Sequence, residues 1–181
     1  MRDAYARTMF SDAAKKLQGQ AGSRQAYERM ARSGHFEDGF GEFEKEFIEA
    51  RESFYMATVT PDGWPYIQHR GGPAGFLRVL DKRTLAFADY SGNKQYISAG
   101  NLSTNDRVSL FLMDYPHQAR LKVIGHARAL KPGENPEIDA RLLTEHGAKV
   151  EGVLVITVKG YDWNCSQHIT PRFTEAELRN D

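Results

Sequence analysis

The chain has 181 residues, 40% of them hydrophobic and 27% charged, a composition that fits one globular domain with a substantial core and excludes a disordered or fibrous chain. Its 24 Lys and Arg balance 24 Asp and Glu, which argues against a broad basic face for nucleic acid. No apolar run approaches the roughly 20 residues needed to cross a bilayer, and the N-terminus MRDAYARTMFSDAAKK is charged where a signal peptide would be apolar, so no membrane partner and a cytoplasmic location are expected. The single cysteine, Cys165, rules out an intrachain disulfide and a cysteine-based zinc site within one chain.

Residues 1–50 read as an N-terminal helical arm: Ser11 and Ser23 suit helix caps, Gly34 suits a stop, and Phe43, Phe47 and Ile48 recur at helical spacing. From Ser53 the texture changes to short β-rich runs. SFYMATVT, PDG and WPYIQHR read as strand, turn and strand, a hairpin with Pro and Gly in favoured turn positions. Further strands are expected at Gly75–Leu80, Thr84–Asp89, Arg107–Asp114, Arg120–Leu130 and Gly152–Val158, with short helices near Gln95–Asn101 and Pro136–His146. Asp106 and Asp114 flank an apolar strand and read as strand-end solubilisers. Seven strands and few helices point to a mainly β domain of barrel type over residues 51–181, with flanking helices. Neither G-x-G-x-x-G nor G-x-x-x-x-G-K-[ST] occurs, which removes the dinucleotide-binding and P-loop readings.

Three segments concentrate residues suited to chemistry. Gln68, His69, Arg70 and Gly71 end a strand with an amide, an imidazole, a cation and a glycine, a composition that lets a flat or anionic ligand approach the backbone closely; a flexible surface strand end would look the same. The stretch from Phe87 to Gln95 follows another strand and opens a helix, so Ser91, Asn93 and Lys94, together with free N–H groups, could offer donors to a phosphate, although Ser, Gly and Asn are also ordinary turn formers. Arg70 and Lys94, on neighbouring strands, could jointly neutralise a dianionic phosphate. The C-terminal stretch from Tyr161 to Arg172 gathers Trp163, Asn164, Cys165, Gln167 and His168; its bland alternative is a tail whose Trp163 and Ile169 plug the barrel mouth. Cys165 reads as a buried, inert thiol, and the six histidines show no metal-binding spacing, so no metal is expected.

The order of these pieces resembles the pyridoxamine 5'-phosphate oxidase-like flavoproteins, the FMN-binding split-barrel family. The resemblance covers about residues 40–172 and rests on ARESFYMATVTPDGWPYIQHRGGPAGFLRVLD, LAFADYSGNKQYISAGNLSTNDRVSLFLMDY, RLKVIGHARAL and DWNCSQHITPRF. It implies a split β-barrel, bound FMN and a homodimer with the cofactor in a groove between subunits. It also places Gln68, His69, Arg70 and Gly71 along the flavin, and Ala88, Asp89, Ser91, Asn93 and Lys94 around the ribityl phosphate. Arg120 takes the polar position before Gly125, and Trp163, Asn164 and Gln167 lie in a tail that reaches the partner's flavin. The tail ends ITPRF rather than in the arginine-rich signature of the vitamin B6 enzymes, and Asn93-Lys94 stands where an Arg-Lys pair is usual. What the resemblance implies is therefore an FMN-dependent oxidoreductase that passes a hydride between the flavin and a small organic substrate. The alternative is a non-enzymatic split-barrel module that binds flavin or haem, and a deazaflavin enzyme remains a further reading. In the enzyme reading a cation near the flavin's N1, Arg70 or Arg120, would raise its potential, and His69 would donate to the ring or manage a substrate proton.

Overall fold

The computed structural model describes residues 3–33, 39–142, 149–163 and 166–179. Its strands are β1 (Ser53–Val59), β2 (Pro65–Gly71), β3 (Leu77–Asp81), β4 (Thr84–Tyr90), β5 (Arg107–Asp114), β6 (Ala119–Leu130) and β7 (Val150–Trp163). All pair antiparallel in one sheet of order β2-β1-β5-β6-β7-β4-β3. Helices α1 (Ala4–Met9), α2 (Asp12–Gln20), α3 (Arg24–Ser33) and α4 (Glu42–Glu49) precede the sheet, while α5 (Ile97–Leu102), α6 (Pro136–Leu142) and α7 (Glu175–Leu178) lie within or after it. No described helix is long and apolar enough to cross a membrane.

Local chemistry explains most boundaries. The β1–β2 hairpin turns at Thr60-Pro61-Asp62-Gly63, where the Thr60 carbonyl accepts from the Gly63 N–H at 2.9 Å and Gly63 takes φ +86°, the left-handed conformation that glycine adopts without steric cost. Ser11 caps α2 by accepting from the Ala14 N–H at 3.2 Å. The Ser23 hydroxyl donates back to the Gln18 carbonyl at 3.4 Å. Strand β7 is longer than Gly152–Val158 because it pairs with β4 at one end and with β6 at the other. Gly34 and residues 143–146 of the second expected helix lie outside the described residues.

The core forms because alternate residues of each strand face inward. Phe54 and Met56 of β1, Leu85 and Phe87 of β4, Leu110 and Leu112 of β5, and Leu121 and Val123 of β6 are all buried, and Ile48 of α4 closes one side. Phe54 stacks on Phe76 and meets Phe87 edge to face. The same alternation puts Asp114 on the inward face of β5. It is buried rather than a surface solubiliser, and it pairs with Arg51 at 2.9 Å and with the backbone N–H and ring Nδ1 of His117. Burial pushes the Asp114 carboxyl upward, but the His117 hydrogen bonds and the Arg51 charge outweigh it and hold the group below its ordinary value.

Two glycines set how closely layers approach. A Cβ at Gly125 would lie 2.5 Å from the Thr157 carbonyl oxygen, at the point where the β6–β7 register shifts. A Cβ at Gly160 would lie 2.7 Å from the Tyr5 nitrogen, so α1 rests directly on β7, with Tyr5 and Ala6 buried against it. This contact fastens the N-terminal helices to the sheet.

Candidate functional site

Strands β2 and β3 form the two ends of the sheet order. Strand β3 pairs with β4 only over Thr84–Phe87, so the last turn of β4, Asp89 and Tyr90, extends past it. Side chains bridge this gap. Arg70 Nη1 donates to Asp89 Oδ1 at 2.5 Å, and Ser98 Oγ of α5 donates to Gln68 Oε1 at 2.9 Å. The bridge frames a cleft of about 180 Å³ lined by Gln68, Arg70, Asp89, Asn93, Lys94 and Ser98, with Tyr66, Tyr96 and Glu151 among its walls.

Strand periodicity decides which residues of β2 enter this cleft. Tyr66, Gln68 and Arg70 are half-buried on one face, while Ile67, His69 and Gly71 are exposed on the other. His69 instead meets Tyr55 edge to face at 5.8 Å. Ala88 is buried in the sheet interior and does not line the cleft. Ser91 donates to Glu151 Oε1 at 2.8 Å, and the Tyr96 hydroxyl donates to Glu151 Oε2 at 3.5 Å. Asn93 and Lys94 come from the loop between β4 and α5 rather than from a strand. There Lys94 and Tyr96 take φ 57° and 51°, conformations uncommon for residues other than glycine and frequent at ligand clamps.

Arg70 and Lys94 therefore line one cleft, but they do not form an unopposed cationic pair. Asp89 answers Arg70 directly, and Glu151 supplies a second carboxylate, so two cations face two acids. Burial raises the Asp89 carboxyl above its ordinary value despite the charge and hydrogen bond of Arg70, and Glu151 adds to the rise. The Arg70 Nε is buried with no hydrogen-bond partner among the described residues, an unmet donor that an acceptor entering the cleft would relieve.

The other expected site residues stand elsewhere. Arg120 is on β6 and lines a groove with Tyr55, Phe111 and Arg172 and a separate, larger cavity under the N-terminal helices. Trp163 ends β7 rather than extending in a tail. Its ring packs on Phe43 and Phe47 of α4, and its indole N–H donates to Glu44 at 3.1 Å. Gln167 is exposed, and Asn164 lies outside the described residues together with Cys165. Ile169, by contrast, is buried, and its carbonyl accepts from Gln118 at 2.7 Å. Sequence reasoning missed Tyr66, Tyr96, Ser98 and Glu151. Tyr66 carried a signal, two residues before Gln68 on the same face; Glu151 carried none, since it reaches the cleft only through β4–β7 pairing.

Residues 40–161 match the sequence model for pyridoxamine 5'-phosphate oxidase. No curated protein matches the chain. Among solved structures, HupZ of Group A Streptococcus is 18% identical with TM-score 0.56, covering 74% of this chain and 99% of its own. A candidate pyridoxamine 5'-phosphate oxidase from Lactobacillus delbrueckii is 21% identical with TM-score 0.52, covering 69% of this chain and 94% of its own. An FMN-binding protein from Syntrophomonas wolfei is 15% identical with TM-score 0.51, covering 81% and 96%. At these identities the likeness concerns the fold.

Proposed function

This chain belongs to the pyridoxamine 5'-phosphate oxidase family, and from that premise we propose that it is an FMN-dependent oxidoreductase of the split-barrel type, working as a homodimer on a small organic substrate. The observation that carries this reading is the convergence of Arg70 and Lys94 on one cleft in which the Arg70 Nε lacks an acceptor. A phosphate supplies that acceptor and a charge for the ammonium.

The residues of the cleft fit the phosphate end of the cofactor. A space of about 180 Å³ is smaller than the roughly 300–1,000 Å³ of pockets that enclose a whole ligand, so it suits a phosphate and adjoining chain rather than a three-ring system. Arg70 and Lys94 would hold the anion, the Asn93 amide would offer a neutral donor beside it, and Gln68, whose Oε1 accepts from Ser98, would offer another through its amide N–H groups. When bound, FMN supplies hydride chemistry at its ring. A ring too large for this space would extend beyond the cleft, where a second copy of the chain would cover it. Support for that second copy comes from Tyr55 and Ile67 of the β1–β2 hairpin, which share one face of the sheet and are 40% and 67% exposed, apolar surface of the kind that marks contact sites.

The test is spectroscopic and then kinetic. Purified protein should carry a yellow chromophore that mass spectrometry identifies as FMN and that bleaches with dithionite. Reduction by NADH or NADPH with reoxidation by an added acceptor would establish an enzyme over a storage module. A Soret band, or protein that takes up no flavin from solution, would refute the reading.

A further inference from the structure

A second cavity, about 920 Å³, lies between the N-terminal helices and the outer face of the sheet, in the size range of pockets that enclose whole ligands. Its lining shares no residue with the Arg70–Lys94 cleft. The roof is α1 and the α2–α3 pair, and the floor is Arg120 and Lys122 of β6 with Asp162 and Trp163 of β7.

Helix α1 rests on β7, and α2 stands off the floor. Helix α2 buries none of its residues, and Leu17, which lines the cavity, is 64% exposed. Alanines at 14, 21, 26 and 31 keep the space wide. Aromatic surface bounds it on two sides: Phe10 and Tyr27 meet edge to face at 5.5 Å in the roof, and Trp163 stands in the floor.

The charged groups of this lining are matched except for one. Asp3 accepts from the Ala6 N–H at 3.0 Å and caps α1. Lys122 pairs with Asp162 at 2.7 Å and lies over the Tyr5 ring. Burial alone would lower the Lys122 ammonium, but its bonds to Asp162 hold it above the ordinary lysine value, so this pair stays ionised and self-compensated. Arg120 is the exception. Its Nε is buried without a hydrogen-bond partner among the described residues, and no described carboxylate answers its guanidinium.

We propose that the cavity beneath the N-terminal helices binds a flat aromatic carboxylate, with the Arg120 guanidinium as its counter-ion. The aromatic walls take the planar body, and the anion meets the one unmatched charge in the lining. The site shares no residue with the Arg70–Lys94 cleft and does not require a flavin to be bound there.

Calorimetric titration with 2-naphthoate and with 2-naphthylmethanol, the same ring system without the charge, tests the assignment on the full chain. The carboxylate should bind at least tenfold tighter than the alcohol. In Arg120→Gln that preference should disappear, while alcohol binding stays within twofold. Ala14→Trp, which fills the cavity from α2, should abolish binding of both, and Ala26→Trp from α3 should repeat the result; circular dichroism melts check that each variant folds. Unchanged naphthoate binding in Arg120→Gln or in both tryptophan variants overturns the proposal. So does a fall in molar mass by light scattering in the tryptophan variants, which would put a second copy of the chain in the cavity. Loss of flavin absorbance in Arg120→Gln would assign the guanidinium to the cofactor and overturn it as well, whereas absence of flavin from the unmodified protein would bear only on the cleft.

Discussion

Replacing Asp89 with Asn preserves the shape of the cleft and removes one of its two carboxylates. In the unmodified protein an arriving phosphate meets Arg70 already engaged by Asp89, and it meets the Asp89 charge as well. A carboxylate and a doubly charged phosphate about 6 Å apart repel by about 1.4 kcal/mol in bulk water and by about 5.5 kcal/mol at an effective dielectric of about 20. The cleft opens to solvent but Asp89 is partly buried, so the lower figure is the minimum effect, and the Asn amide oxygen still accepts from Arg70 Nη1 and keeps the guanidinium aligned. A net gain of at least about 1.4 kcal/mol follows, which is at least about tenfold tighter FMN binding. Titrating FMN into flavin-free protein and following fluorescence quenching measures it, with riboflavin as the control because it lacks the phosphate. As pH falls through the Asp89 pKa, which lies above the ordinary 3.8, the carboxyl neutralises and the two proteins should converge in affinity. Unchanged or weaker FMN binding in a folded Asp89→Asn variant would refute the reasoning, as would an equal gain for riboflavin.

Lys94→Gly suits the left-handed backbone at φ 57° while deleting the ammonium, and loss of a charge-assisted contact of about 1.5–3 kcal/mol should weaken FMN binding by more than about tenfold; riboflavin affinity should hold. Gly160→Val drives a side chain into Tyr5, 2.7 Å from its nitrogen at the Cβ alone, an overpacking cost of about 1–3 kcal/mol. Helix α1 should lift, and trypsin should then cut at Arg24 and Arg29 at least tenfold faster while the sheet stays intact. Asp114→Asn breaks a nearly buried ion pair with Arg51 and should cost about 2 kcal/mol near neutral pH, less than the 3–5 kcal/mol of a fully buried pair. Because the folded pKa is depressed, that stabilisation is present above pH 3.8 and lost as pH falls through the lower folded value. The difference in Tm between the two proteins should therefore close in acid, and a constant difference would exclude the linkage.

The role of Asp114 illustrates what periodicity can reveal when it is carried to the end of an element. Val108, Leu110 and Leu112 alternate inward, and position 114 continues that series, so its burial was readable even though a terminal aspartate looks like a solubiliser. The same alternation separates Gln68 and Arg70 from His69 and Gly71, which the motif alone treats as one group. The extent of β7 up to Trp163 escaped the sequence for a different reason. A strand gains residues when it has partners on both sides, and β7 runs on to pair with β6 beyond its contact with β4.

Composition, the Pro-Asp-Gly turn, the two-residue alternation and the block motifs together determined a mainly β chain, its hairpin, the approximate strands and the family, because each depends on neighbours a few residues apart. The Arg70–Asp89 pair, the entry of Glu151 and the departure of Arg120 to another cavity were decided only by tertiary structure. Each depends on strand order: β2 and β4 come together across the open ends of the sheet, whereas β6 lies in its middle. Alternation specifies which face a side chain takes, but not which distant strand stands opposite it, and the charge balance of the cleft is set by that second choice.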